Sequence, residues 1–234
     1  MNKKVVVIHQ PDFAPYLGFF HRFLHADLYI ALDHVQFVSG TSRSWTNRDK
    51  IKTAQGEKWL TVSVEKAPRD TAINQIELSV GVDWRKDNLR LLEQNYRKAP
   101  YYAELMPEIE RLYAQPFHAL RDFNMASIEM LMDMLDVRIP WLWSSCLSPV
   151  GKKNELLVDL LKKVSATHYL SGVGARDYYD PEPFAKAGIE MIWQDFTHPV
   201  YTQQFGEFLP YLSALDVLFN HGITASRELL RSVE

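Results

Sequence analysis

A chain of 234 residues, 47% hydrophobic and 24% charged, carries enough apolar material for one sizeable core. A formal net charge of -3 and an isoelectric point near 6.2 argue against a surface built to neutralise many phosphates, so a polynucleotide is not expected as the main ligand. The single cysteine permits no internal disulfide, the first residues lack a secretory pattern, and no apolar run approaches the roughly 20 residues that span a bilayer, so the expectation is a cytoplasmic protein with no membrane span.

Lys4 to Ile8 is a β-branched run without polar alternation, the pattern of a central strand buried on both faces of a parallel sheet. Pro15 is expected in the first turn of a helix, where Tyr16, Phe19, Phe20, Phe23 and Leu24 recur at spacings of three and four. A second strand, Leu28 to Leu32, ends at Asp33. Strand, helix and strand in that order make a βαβ unit, and ligands in such sheets gather at the carboxyl ends of the strands. Topology alone therefore brings His9-Gln10 and Asp33-His34 to one edge.

Ser39 to Ser44 is rich in Ser, Gly and Thr, and Ser42-Arg43-Ser44-Trp45-Thr46-Asn47-Arg48 sets two guanidiniums among hydroxyls and amides, as a functional loop would. Ile51 to Ala54 and Lys58 to Val64 flank Gln55-Gly56 as a hairpin, and Ile76 to Val80 reads as a further strand. From Trp84 to Asp136 the periodicity is helical, punctuated by Pro100, Pro107 and Pro116, which predicts a helical insert or flank packed on the sheet. Alternation then resumes with strand Trp141 to Ser144, helix Asn154 to Val164, strand His168 to Leu170, helix Pro183 to Ala187 and strand Glu190 to Gln194. Leu209 to Asn220 and Thr224 to Val233 read as two helices parted by His221-Gly222. The fold class is α/β: a single domain over 1–234 with a mainly parallel central sheet, a β-hairpin and a helical segment at about 84–136.

Several constellations carry chemistry. His9-Gln10-Pro11 places an imidazole and an amide directly after a buried strand, where histidine can serve as acid, base or neutral donor; the plainer reading is a histidine hydrogen-bonded to a loop carbonyl. Asn47-Arg48, with Arg43 upstream, suits phosphate or carboxylate recognition, although solvated loop arginines are common. Gly151-Lys152-Lys153-Asn154 before a helix can hold an anion but lacks the full P-loop pattern, and a charged turn explains it equally well. Ser171-Gly172-Val173-Gly174 is a strand-end turn facing the same edge if the strands are parallel. His198-Pro199-Val200-Tyr201-Thr202-Gln203 adds an imidazole, a phenol and an amide, so that His9 and His198 flank one pocket. No ligand spacing typical of zinc occurs, so no metal site is expected. Cys146 is expected as a buried small residue and not as a nucleophile.

These residues resemble the WbqC-like proteins encoded among bacterial surface-polysaccharide genes. The resemblance rests on His9-Gln10-Pro11 with Pro15-Tyr16-x-Gly18-Phe19-Phe20, on Asp33-His34-Val35-Gln36-Phe37, and on Asn47-Arg48-Asp49-Lys50-Ile51 with Gly56 and Trp59-Leu60-Thr61-Val62. It continues at Tyr169-Leu170-Ser171-Gly172 and His198-Pro199-Val200-Tyr201-x-Gln203, and closes on Phe208 to Asn220. Arg22 stands where the resemblance leads one to expect lysine, which keeps a cationic role but disfavours a lysine nucleophile. The start of the chain is also similar to nucleotidylyltransferase-like and Rossmann-like folds.

The resemblance implies acyl or aminoacyl transfer to an amino group on a nucleotide-linked sugar destined for O-antigen or a related glycan. His9 would then accept the amine proton or stabilise the oxyanion, assisted by His198, with Gln10 orienting a substrate oxygen. Arg43, Asn47 and Arg48 would hold the diphosphate, Asp33 and Gln36 would line the sugar or amine pocket, and Tyr16, Ser171, Gly172, Tyr201 and Gln203 would complete the substrate-binding set. The acyl donor is left open between an acyl thioester of coenzyme A or a carrier protein and an aminoacyl-tRNA. A homodimer or a carrier protein is left open as partner. Two alternatives stand beside this reading: a nucleotidylyl- or acyl-adenylate-forming enzyme using ATP and a divalent metal, and a non-catalytic nucleotide-sugar-binding protein of glycan assembly.

Overall fold

The computed structural model describes residues 2–38, 40 and 44–233. In chain order its elements are β1 (Val5–His9), α1 (Leu17–Leu24), β2 (Leu28–Ala31), β3 (Arg48–Thr53), β4 (Gly56–Thr61), α2 (Trp84–Tyr96), α3 (Tyr102–Ala114), α4 (Leu120–Leu135), β5 (Trp141–Trp143), α5 (Lys153–Lys163), β6 (His168–Ser171), α6 (Pro181–Ala187), β7 (Glu190–Trp193) and α7 (Ala214–Arg231). Short 3-10 turns cover Ile73–Gln75, Ser144–Leu147 and Val173–Tyr178.

Five strands form one sheet in the order β5-β2-β1-β6-β7, and every neighbouring pair is parallel. The β-branched run of β1 takes the middle position because successive side chains of a strand point to opposite faces and here both faces are apolar. Val5 and Val7 pack into a cluster with α1, α7, the hairpin and the α2–α4 segment, while Val6 and Ile8 pack into a second cluster with Leu160 and Leu161 of α5 and Phe184 of α6. The same alternation sends Tyr29 and Ala31 of β2 to the first face and Leu28 and Ile30 to the second. β3 and β4 form the expected antiparallel hairpin around Gln55-Gly56.

Local signals set the element ends. Asp180 caps α6 by accepting the Glu182 amide at 3.1 Å, Pro181 opens the helix, and Gly188 closes it at φ 67°. The expected break near the C-terminus is real: Gly222 sits at φ 73°, ψ 178° and divides α7.

Four expectations change. Pro15 precedes α1 instead of opening it, because Tyr16 is an extended cap and Ala14 has already turned the chain at φ 44°. Ile76 to Val80 is no strand; Glu77 and Leu78 make only isolated bridges to Ala119 and Val64. The first part of α7 begins at Ala214, later than Leu209, with Ser213 capping the Leu215 amide at 3.3 Å. Cys146 lies exposed on a 3-10 turn, not buried. Among the described residues, no helix is long and apolar enough to cross a membrane.

Candidate active site

Chain order runs outward from the middle of the sheet in both directions, through β1, β2 and β5 on one side and through β6 and β7 on the other. The order therefore reverses between β1 and β6, and such a switch point opens a crevice at the carboxyl ends of the strands. β1 ends there in His9, β6 in Ser171 followed by Gly172, and β7 in Trp193 followed by Gln194. The Gln194 amide nitrogen donates to the Ser171 carbonyl at 2.8 Å, which carries the β6–β7 ladder up to this rim.

His9 Nδ1 lies 3.0 Å from the Gln10 carbonyl and 3.5 Å from Asp12 Oδ2, and its ring stands edge-on to Phe19. A carbonyl can only accept, so Nδ1 carries the proton and Nε2 is the lone-pair nitrogen. Burial and then the Arg22 charge push the imidazole down to about 3, against the Gln10 contact, so the ring is neutral at physiological pH. Its side chain still keeps 34% of its surface open to solvent, against 14% for Asp12. Burial raises the Asp12 carboxyl to about 7, over the opposing pulls of Arg22 and Thr46. A carboxyl tuned to neutrality next to an accessible imidazole is the pattern of a proton-transfer site.

The walls are tied together by side chains with buried partners. Thr46 Oγ1 donates to Gln10 Oε1 at 2.9 Å, which leaves the Gln10 amide nitrogen as the end able to meet a ligand. Asn124 Nδ2 donates to the Pro11 carbonyl at 2.7 Å and to the Thr46 carbonyl at 2.5 Å, clamping the 44–47 segment to the strand-end turn. Gln194 Nε2 donates to the Gly18 carbonyl at 2.7 Å, linking β7 to α1. Tyr16 stands among Phe196 and Tyr211, and its phenol is raised by burial although Arg22 pulls the other way.

Arg22 is 4% exposed on α1, with its guanidinium carbon 5.3 Å from the centre of the Phe19 ring. Its Nε is buried without a hydrogen-bond partner. A Cβ added at Gly172 would stand 3.8 Å from both Arg22 Nη1 and Gln194 Oε1, at ordinary contact distance, which places both polar ends beside the Gly172 backbone.

Of the residues expected from the sequence, His9, Gln10, Tyr16, Ser171 and Gly172 meet at the switch point. The others that the structure describes have their side chains engaged by neighbours away from this crevice. Asp33, wholly buried, is bound by the Ser144 hydroxyl, the Ser145 amide and hydroxyl, and Arg121 at 2.5 Å. Burial opposes ionisation there, but these donors outweigh it and hold Asp33 below the usual carboxylate range. Gln36 is exposed and donates to the Arg69 carbonyl at 2.7 Å. Asn47 donates to the Val62 carbonyl at 3.0 Å, and Arg48 lies over Trp59 while its Nε donates to the Ser44 carbonyl at 3.1 Å. Arg43 lies outside the described residues.

His198 is buried in an aromatic box of Phe196, Tyr201, Phe208 and Tyr211, with Nδ1 2.9 Å from the Pro199 carbonyl. Its ring contacts lead to the switch-point residues through Phe196 and Tyr211, both of which also touch Tyr16. Tyr201 donates to Asp216 at 3.0 Å, and Gln203 accepts from Lys52 Nζ at 3.1 Å. Both belong to a buried polar network with Tyr96, whose hydroxyl donates to Asp216 at 2.7 Å. Among the described residues, no group of three or more His, Cys, Asp or Glu is placed to hold a metal ion.

Asp12, Asn124 and Gln194 were not singled out from the sequence, Thr46 entered only as part of the Ser42-to-Arg48 loop, and Arg22 only through the resemblance, as a cationic position. Asp12 had a local signal, since it follows His9-Gln10-Pro11 and stands three residues beyond His9. Arg22 had one too: Leu17–Leu24 contains only two polar side chains, His21 and Arg22, and both are buried. A short helix buried on all sides places its cation inside the protein. Asn124 and Gln194 come from distant elements and carried no such signal.

Comparison with known proteins gives one family. The model of the WbqC-like protein family matches residues 10–228. An uncharacterized protein of Mycobacterium tuberculosis (strain ATCC 25618 / H37Rv), Rv1507c, is 34% identical over 227 residues, covering 95% of this chain and 96% of its own. No solved structure matches the chain.

Proposed function

This chain belongs to the WbqC-like protein family, and on that premise we propose that it is a transferase forming an amide on the amino group of a nucleotide-linked amino sugar. The observation that carries the reading is the Asp12 carboxyl, raised to about 7 and set 3.5 Å from a neutral His9 at the carboxyl end of the central strand. A base poised near the working pH suits the removal of a proton from an attacking amine.

The amine lone pair attacks the activated carbonyl, forming the C–N bond. The N–H proton passes to the Asp12 carboxylate and from there to the departing thiolate or hydroxyl as the C–S or C–O bond breaks. His9 Nε2, lacking a proton, accepts a hydrogen bond from the amine and holds its lone pair toward the carbonyl. The free amide end of Gln10 donates to a substrate oxygen. Asp12 thus takes the base role first expected of His9, and His198 supports the wall through Phe196 and Tyr211. The association with surface glycans comes from the family resemblance.

The test is mass spectrometry of nucleotide-linked amino sugars incubated with the protein and candidate thioester or aminoacyl donors. An added acyl mass that disappears in Asp12→Asn is the expected result; no mass gain across a broad panel removes the reading. The strand order favours a second reading, an acyl-adenylate-forming enzyme with its nucleotide across the β1–β6 crevice. ATP-dependent release of pyrophosphate would select it.

A further inference from the structure

Burying a cation without a partner costs several kcal/mol, so buried arginines are ordinarily paired or spend their nitrogens on carbonyls. Among the described residues three arginines bury an Nε without a hydrogen-bond partner, Arg22, Arg85 and Arg121, and the last of these still has Asp122 Oδ1 at 3.4 Å. Arg85 reaches the Phe117 carbonyl at 3.2 Å, and Arg121 reaches Asp33 at 2.5 Å. Arg22 has neither resource. Among the described residues its guanidinium makes no hydrogen bond or ion pair, and its close neighbour is the face of Phe19.

The charged and titratable groups that feel Arg22 do not neutralise it. His9, Tyr16, Tyr29 and Tyr169 are neutral, and the Asp12 carboxyl is half protonated near pH 7. His21, beside it on α1, is lowered by burial and is neutral as well. Arg22 therefore brings a positive charge to this rim that only the partly ionised Asp12 carboxyl opposes, and its Nη1 lies close enough to Gly172 that a Cβ there would stand 3.8 Å away, at ordinary contact distance. A guanidinium presents paired donors that match phosphate oxygens.

We propose that Arg22, beside the Gly172 backbone at the β1–β6 switch point, binds the phosphate groups of a nucleotide ligand. This rests on the transferase reading for the ligand's identity, and it moves the diphosphate from the Arg43–Asn47–Arg48 loop to the sheet edge. Asn47 and Arg48 are engaged with their own hairpin, through the Val62 carbonyl, the Ser44 carbonyl and the Trp59 ring. A diphosphate over Gly172 also leaves the sugar amine free to reach the Asp12–His9 side of the crevice. Gln194, fixed by its bond to the Gly18 carbonyl, lies beside Arg22 at Gly172.

The test is calorimetric titration of the intact protein with UDP, dTDP, GDP, inorganic pyrophosphate and uridine at low ionic strength. At least one diphosphate or pyrophosphate is expected to bind, and Arg22→Gln to weaken it at least about tenfold without changing any uridine affinity. Arg22→Lys should retain part of the binding. Without ligand, Arg22→Met should melt no lower than the parent, because it removes an unpaired buried charge; a large loss of melting temperature would assign Arg22 a structural role and overturn the proposal. Should Arg22→Gln not fold, the Arg22 Nε–H resonance of the parent protein gives the answer, shifting on addition of pyrophosphate or refuting the site by staying still. Absence of phosphate binding, or unchanged binding in Arg22→Gln with loss in Arg48→Gln, overturns it. Diphosphate binding lost in Arg22→Gln, with no acyl transfer in any donor panel, sustains the site and removes only the amide-forming reaction.

Discussion

Asp12 Oδ2 lies 3.5 Å from His9 Nδ1, yet the proton on that nitrogen is directed to the Gln10 carbonyl at 3.0 Å. The two groups are therefore adjacent without forming a firm ion pair. Arg22 acts on both, opposing a charge on His9 and favouring one on Asp12. Within one turn of chain, burial leaves a neutral base on one side and a carboxyl that titrates near pH 7 on the other.

The pH dependence of turnover follows from Asp12. Its ionised form is the base, so kcat/KM should rise through an apparent value near 7, and Asp12→Asn should lose about 100-fold or more and the titrating limb with it. An unchanged acid limb in Asp12→Asn would assign that titration to another group.

The same carboxyl makes a statement about stability. Its folded value lies above the ordinary carboxyl value of 3.8, so the fold favours the protonated form. That contribution is fully present below about 4 and is lost as pH rises through about 7. Asp12→Asn, neutral at every pH, should therefore melt higher than the parent at pH 8 and gain less at pH 5. A shift of about 2–4 °C per kcal/mol is expected for a chain of this size, measurable by calorimetry.

His9 works in the opposite sense. Its folded value is depressed below 6.5, so its contribution is present above 6.5 and lost as pH falls toward about 3. His9→Gln should flatten the loss of stability between pH 7 and pH 4, read as the change in urea midpoint. Equal acid sensitivity in both proteins would rule out His9 as a source.

Gly222 occupies a backbone region that only glycine adopts readily, and an added Cβ would meet the Tyr101 ring at 2.6 Å. Gly222→Ala combines strain with overlap and should cost about 2–4 kcal/mol in denaturant unfolding. A cost under about 0.5 kcal/mol would show that α7 can straighten at this position.

Asp216 accepts from Tyr96 at 2.7 Å and from Tyr201 at 3.0 Å, deep in the core. Asp216→Ala leaves two buried hydroxyls without an acceptor and removes the carboxylate whose field reaches Lys52. The expected loss is about 3 kcal/mol or more, against about 1 kcal/mol for Tyr201→Phe. Comparable losses in the two variants would show that water replaces the carboxylate.

Much of the architecture was written in local pattern. The uninterrupted Val-Val-Val-Ile run placed β1 in the middle of a parallel sheet because only a strand covered on both faces can be apolar at every position. The glycine turns at Gly56, Gly188 and Gly222 marked element ends because each needs a positive φ. Ile76 to Val80 misled because its residues suit a strand, but a partner strand does not exist there.

The strand-end turn His9-Gln10 and the Ser171-Gly172 turn were likewise legible, since parallel strands bring all their carboxyl ends to one edge. What the sequence could not express is which polar groups that edge leaves unsatisfied. Asp33 and Gln203 have the chemistry of ligand contacts, yet Ser144, Ser145, Arg121 and Lys52 arrive from distant segments and occupy them. Arg22 is the reverse case, a cation on a helix of aromatic residues to which, among the described residues, no distant segment brings a carboxylate partner. Residue type and strand order are properties of the chain and survive in its sequence. Burial and pairing depend on which remote side chains arrive, and through them the tertiary structure alone decided that Asp12 titrates near neutrality, that His9 stays uncharged, and that Arg22 is buried with its Nε unpartnered.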